Sequence, residues 1–187
     1  MTTPALPAEG DLGRCFDVFK VSAFRLETLR VYAVPGEDEG LRAFRRGLPR
    51  PERSVRTSAW LRRIAETTAA GKSWRRVRVL GHPLTEYDCY HLIGYRESAE
   101  AGEVTRIADR SAHPELATLT RDFWLFDAGT ARPFAALMSY GRDGRYLGAE
   151  VTTGAAMITA CVTARNLAQR YSVPLGVYLA QLRAEGE

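Results

Sequence analysis

Residues 76–109 read RVRVLGHPLTEYDCYHLIGYRESAEAGEVTRIAD, and the reading of this stretch decides the fold. Arg76-Val77-Arg78-Val79-Leu80 alternates charged and apolar residues, which predicts a strand with its valines inward and its arginines outward. Gly81-His82-Pro83 turns the chain. Thr85 and Asp88 have the outline of a capping box. Beyond them Tyr87, Tyr90, His91, Gly94 and Tyr95 recur at helical spacing, so a helix is predicted over Glu86 to Ala101, closed by Gly102. A strand over Thr85 to Tyr95 would leave charges and tyrosines on both faces and ranks second. Val104 to Asp109 reads as another short strand. Strand, helix and strand in this order imply a parallel crossover.

The flanking segments extend this unit in both directions. Upstream, helices are predicted from Asp11 to about Val21, from Glu37 to Gly47, and from a Thr57 or Ser58 cap to about Ala70. A strand or extended segment lies at Phe24 to Leu29, and Pro35-Gly36 is a turn. Downstream, Phe123 to Asp127, Arg132 to Tyr140 and Arg145 to Val151 form an antiparallel meander. Gly141-Arg142-Asp143-Gly144 is its hairpin turn, and Pro133 demotes the start of the middle strand to an edge or bulge. Helices follow at Gly154 to Tyr171 and Leu175 to Arg183, interrupted at Val173-Pro174. The expected fold is α+β: N-terminal helices, a mixed sheet of about five strands and C-terminal helices. Residues 1–10 read as a flexible tail and 11–187 as one domain, with a helical part at 11–71, a sheet part at 72–151 and C-terminal helices at 152–187.

Composition places the chain among soluble globular proteins, with 45% hydrophobic and 26% charged residues. No apolar run is long enough to span a membrane, and the first residues have no secretory pattern. Cys15, Cys89 and Cys161 are odd in number and far apart, which fits reduced thiols in a cytoplasmic protein.

Charge is unevenly spread. Residues 42–78 hold twelve basic side chains against Glu52 and Glu66, a sum of +10, while the other 150 residues sum to −6. Arginine outnumbers lysine 24 to 2, in keeping with GC-rich codon usage, which lowers the weight of the block. Arg62, Arg63, Lys72, Arg75, Arg76 and Arg78 are the candidate contacts for an anionic partner, with Trp60 and Trp74 interleaved for base stacking. Trp60, however, falls on the apolar stripe of its helix.

Other chemistry is sparse. On a helix Cys89 and His91 point in different directions, and His82 and His91 lack metal-ligand spacing. No metal and no cofactor is expected. Arg25 and Glu27, with Arg30, stand in an apolar segment. They read either as an ion pair joining the helical part to the sheet or as a ligand-holding pair in a cleft, with Tyr87 and Tyr95 as further lining. Phe123-Trp124-Leu125-Phe126 is sheet core on both faces.

Several segments together resemble a known family. They are Ser22-Ala23-Phe24-Arg25-Leu26-Glu27-Thr28, Val77-Arg78-Val79, Pro83-Leu84-Thr85-Glu86-Tyr87, Asp122-Phe123-Trp124-Leu125-Phe126-Asp127 and Gly144-Arg145-Tyr146-Leu147-Gly148-Ala149-Glu150. The set resembles an uncharacterised actinobacterial domain of unknown function, often encoded beside Xre-type helix-turn-helix regulators. Arg132 to Met138 departs from the shorter, more polar hairpin that the resemblance implies. The resemblance carries no catalytic residues. It implies a non-enzymatic cytoplasmic interaction protein that pairs with such a regulator, or with itself. The alternatives from the residues are tRNA or DNA binding through the Arg-rich block, and a small-molecule enzyme or ligand-binding domain of a biosynthetic pathway.

Overall fold

The computed structural model describes residues 11–34, 37–49 and 51–185. The tail at 1–10, the Pro35-Gly36 turn and Arg50 lie outside the described residues. The architecture is α+β. Helix α1 (Leu12–Val18) leads to strand β1 (Ser22–Glu27). Helices α2 (Asp38–Arg45) and α3 (Ala59–Ala69) precede β2 (Ser73–Leu80). Helix α4 (Glu86–Glu100) and β3 (Glu103–Asp109) follow, then a 3₁₀ turn at Pro114–Thr118. The meander comprises β4 (Phe123–Phe126), β5 (Phe134–Tyr140) and β6 (Tyr146–Thr152). Helix α5 (Ala155–Arg170), the short β7 (Ser172–Pro174) and α6 (Leu175–Glu185) close the chain.

Polar side chains start three of these helices by accepting the unpaired amides of the first turn. Asp11 accepts from the Arg14 amide at 3.0 Å and Ser58 from Leu61 at 3.3 Å. At α4 the capping box is complete, with Thr85 and Asp88 each accepting the other's backbone N–H.

The sheet is mixed and has seven strands, in the order β6-β5-β4-β1-β2-β3-β7. β1, β2 and β3 run parallel, as the crossover predicts, and the remaining pairings are antiparallel. The count of about five strands is corrected. The Val173-Pro174 break is itself an edge strand on β3, and its proline sits at the strand's end, where no ladder amide is needed. Pro133 likewise stands just outside β5, which is an interior strand. At the β5–β6 turn Gly144 has φ +79°, and a Cβ there would meet the Val31 carbonyl oxygen at 2.5 Å. Only glycine suits that close approach.

Side-chain alternation splits the sheet into two covered faces. Phe24, Leu26, Val77, Val79, Leu125 and Leu137 meet α5 through Ile158, Cys161 and Ala168. On the opposite face Ala23, Trp74, Phe126 and Phe134 meet α1 through Phe16, the residue Phe19 just beyond it, and α3 through Leu61 and Ile64. Farther along this second face the side chains change from aromatic to charged. Here the expectation of outward arginines on β2 fails: Arg76 is 9% exposed and Arg78 1%. A central parallel strand is covered on both sides, so both alternating sets are buried, and helix α4 lies over the arginines.

Candidate functional site

β1 and β2 carry Arg25, Glu27, Arg76 and Arg78 on one face, and α4 supplies Asp88 and Tyr95 from above. Glu27 is at the centre. It accepts the Tyr95 hydroxyl at 2.7 Å, bonds Arg76 Nη1, and lies 3.5 Å from Arg25 Nε. Arg76 also reaches Glu103, the first residue of β3, at 3.1 Å. Arg25 Nη2 donates to Asp122 and to the Tyr140 hydroxyl, both at 2.8 Å. Asp122 is further held by the Thr28 amide at 2.8 Å and by the Tyr32 hydroxyl at 2.6 Å. Arg78 Nη2 donates to Asp88 at 3.0 Å, while the other carboxylate oxygen of Asp88 completes the α4 cap. One aspartate thus ties the start of α4 to the interior of β2.

Charges buried this deeply persist only when paired. Burial alone would raise the Glu27 pKa, but Arg76 and Arg25 outweigh it and hold the carboxyl at about 2. Burial would lower the three arginines, and the facing carboxylates and tyrosines hold them above the ordinary value instead. Burial pushes Tyr32 and Tyr95 well above the ordinary phenol range, so both remain neutral donors. A pH dependence follows. The folded Glu27 value lies below the unfolded one, so its stabilisation is fully present above the unfolded value. It is lost as pH falls from about 4.5 toward 2. Urea midpoints between roughly pH 5 and pH 3 should decline steeply in the wild type and less steeply in Glu27→Gln.

Not every donor in this network has a partner. Among the described residues, Arg25 Nη1 and Arg78 Nε and Nη1 are buried with no acceptor. A cleft of about 260 Å³ opens over Arg25 and Glu27, walled by Tyr32, Tyr87, Met138 and Tyr140. A wider cleft of about 690 Å³ adjoins it, lined by Arg76, Tyr90 and Tyr95 among others. Glu27, Val34 and His91 border both. His91 stands between them, 3.1 Å from Glu37 and with its ring 4.1 Å from that of Tyr87.

The sequence pairing of Arg25 and Glu27 with Tyr87 and Tyr95 thus meets around one junction, Tyr87 on the smaller cleft and Tyr95 on the larger. The six basic candidates are not brought together. Arg62 donates to the Val55 and Arg56 carbonyls, at 3.2 and 3.0 Å, and Arg63 pairs with Asp17 at 2.9 Å. Lys72 donates to the Phe19 carbonyl at 2.7 Å. Arg75 is exposed on the α5 side of the sheet, and Arg76 and Arg78 are interior. Trp74 is 1% exposed, and its indole N–H donates to Thr67 Oγ1 at 2.8 Å, so it offers no stacking face.

Asp88, Glu103, Asp122, Tyr32 and Tyr140 were not predicted as site residues. Glu103 carried one usable signal, since a parallel register sets it beside the arginine strand. Asp122 and Tyr32 come from loops and had none. Burial raises Cys15 and Cys161 to about 11, and Cys89 is also raised. Among the described residues no group of three His, Cys, Asp or Glu side chains is placed to hold a metal ion, and no helix is long and apolar enough to cross a membrane.

These features define an α+β protein whose mixed sheet carries a buried arginine–carboxylate network beneath paired clefts. The chain belongs to the family described as domain of unknown function DUF6879, whose model matches residues 10–180. No curated protein and no solved structure matches it.

Proposed function

We propose that the protein is a ligand-binding domain that holds a small organic molecule in the cleft over Arg25 and Glu27. The observation that carries this reading is the cleft of about 260 Å³ itself, bordered by the buried charges of Arg25 and Glu27 and walled by Tyr32, Tyr87, Met138 and Tyr140. Cofactor and substrate sites share this build of apolar walls with a few fixed polar groups. The test is a fragment screen by protein-observed NMR on the wild type and on Met138→Trp, in which the indole fills the cleft. Fragments that shift cleft resonances in the wild type and not in Met138→Trp are expected. A screen with no such fragments would sink the reading.

The six basic candidates Arg62, Arg63, Lys72, Arg75, Arg76 and Arg78, divided between the two sides of the sheet and its interior, lend nucleic-acid binding little support. Pairing with a protein partner has one observation in its favour. β6 is an outer strand of the sheet, with Tyr146 38% and Leu147 59% exposed, and open strand edges recruit further strands. The partner would be a helix-turn-helix regulator of actinobacterial type or a second copy of the chain, in a cytoplasmic setting. Light scattering after size-exclusion chromatography, alone and with a coexpressed regulator, should show a complex that Leu147→Lys abolishes. A monomer in both cases would remove this second role.

A further inference from the structure

A separate cleft of about 760 Å³ lies at the end of the sheet where β4 passes into β5. Small-molecule sites commonly span roughly 300–1,000 Å³. This cleft shares no lining residue with the one over Arg25 and Glu27. Its apolar walls are Val18 at the end of α1, Ala131, Pro133 and Phe134 at the start of β5, and Ala155 and Ile158 in α5.

Few of its polar side chains are free to bond a ligand. Asp127 has φ +51°, a left-handed conformation that aspartate tolerates. Its carboxylate accepts the amides of Lys20, Val21 and Ser22 at 2.9, 2.7 and 3.1 Å, which fixes the loop between α1 and β1 against the end of β4. The Thr159 hydroxyl donates to the Ala155 carbonyl at 2.8 Å. The exposed side chains of Lys20, Arg132 and Thr153 have no hydrogen bond or ion pair among the described residues.

The charge around the cleft is positive. Among the lining residues Lys20 and Arg132 stand against Asp127. Lys72 lies outside the lining but feels Lys20, Asp127 and Arg63, and Arg63 pairs with Asp17 at 2.9 Å. The wider circle thus holds four cations and two anions. An ammonium ligand would meet unpaired cations, and a strongly polar neutral one would find few partners. A molecule with one anionic end and an apolar body meets neither obstacle. A cavity of about 150 Å³ holds the six carbons of benzene, so a chain of about twelve carbons fills less than half of this cleft.

We propose that this cleft binds the carboxylate of an acyl chain, with its head between Lys20 and Arg132 and its chain along Val18, Pro133, Phe134 and Ile158. This is a second site, independent of the cleft over Arg25 and Glu27.

Calorimetric titration near neutral pH tests it, with octanoate, decanoate and dodecanoate below their micellar concentrations and with decanol and decylamine as matched heads. Each added pair of methylenes should tighten binding about tenfold, the scale of apolar burial. Decanoate should bind about fivefold more tightly than decanol and more tightly still than decylamine, the scale of exposed ion pairs. The double variant Lys20→Gln, Arg132→Gln should lose that preference, while Arg142→Gln, in the turn at the far end of β5, should keep it. Ala131→Trp and Ala155→Trp, both at exposed positions of the lining, should lose binding, and Met138→Trp should retain it. Equal binding of decanol or decylamine, or a preference that survives the double variant or falls equally in Arg142→Gln, overturns the carboxylate assignment. Binding that survives both plugs, or that Met138→Trp removes, overturns the location. Absence of saturable dodecanoate binding below about 1 mM overturns the site.

Discussion

Arg76→Met is expected to destabilise the protein by about 3–5 kcal/mol, the loss that follows when one partner leaves a buried ion pair. Among the described residues Arg76 alone bonds both Glu27 and Glu103, and the exposure of their side chains is 12% and 0%. Without the guanidinium, Glu103 loses the cation that pairs with it and Glu27 keeps only Arg25, at 3.5 Å. Methionine replaces the lost volume, so the effect measured is charge and not cavity. Urea denaturation at neutral pH checks this as a fall in midpoint at unchanged slope. The triple variant Arg76→Met, Glu27→Gln, Glu103→Gln should recover much of the loss, because the uncompensated charges leave together. A single variant as stable as the wild type would show that the network is solvated, and would remove the electrostatic basis of the cleft.

Trp74→Ala is expected to cost a similar amount, about 3–5 kcal/mol, through a different mechanism. The Trp74 ring packs against Phe16, Phe19, Trp60 and Trp124, with centroids 5.1–5.9 Å apart. Truncation opens a cavity among rigid rings that cannot collapse into it, and it strips Thr67 Oγ1 of its indole donor. The cleft lies farther along the same face, so Trp74→Ala should lower the thermal midpoint while a variant still folded at low temperature keeps its Glu27-dependent pH profile. Trp74→Phe, which retains most of the packing, should lose clearly less.

Helix α4 was legible because its signals are local: a capping box, a tyrosine ladder at helical spacing and a closing glycine. β2 and β3 were legible through their alternation, and the parallel crossover followed from order alone. The hairpin at Gly141 to Gly144 was legible from its Asp-Gly pair. β7 was not, because three residues carry no period and pair only when β3 offers an edge. Arg25 and Glu27 stood out as charges in an apolar run, which is a burial signal. Arg76 and Arg78 misled for the converse reason. Alternation reports that two faces differ, and a charged face is read as solvent unless its partners are visible. Those partners are Asp88, Glu103 and Glu27, drawn from three separate elements.

The order of the residues determined the helices, the principal strands and the parallel core, because caps, turns and periodicity act within a few positions of one another. Whether Arg76 and Arg78 belong to a surface or to a scaffold was decided by the tertiary structure alone. Electrostatic pairing depends on distance in space, and the carboxylates that neutralise Arg76 and Arg78 reach them only when β1, β3 and α4 close around β2.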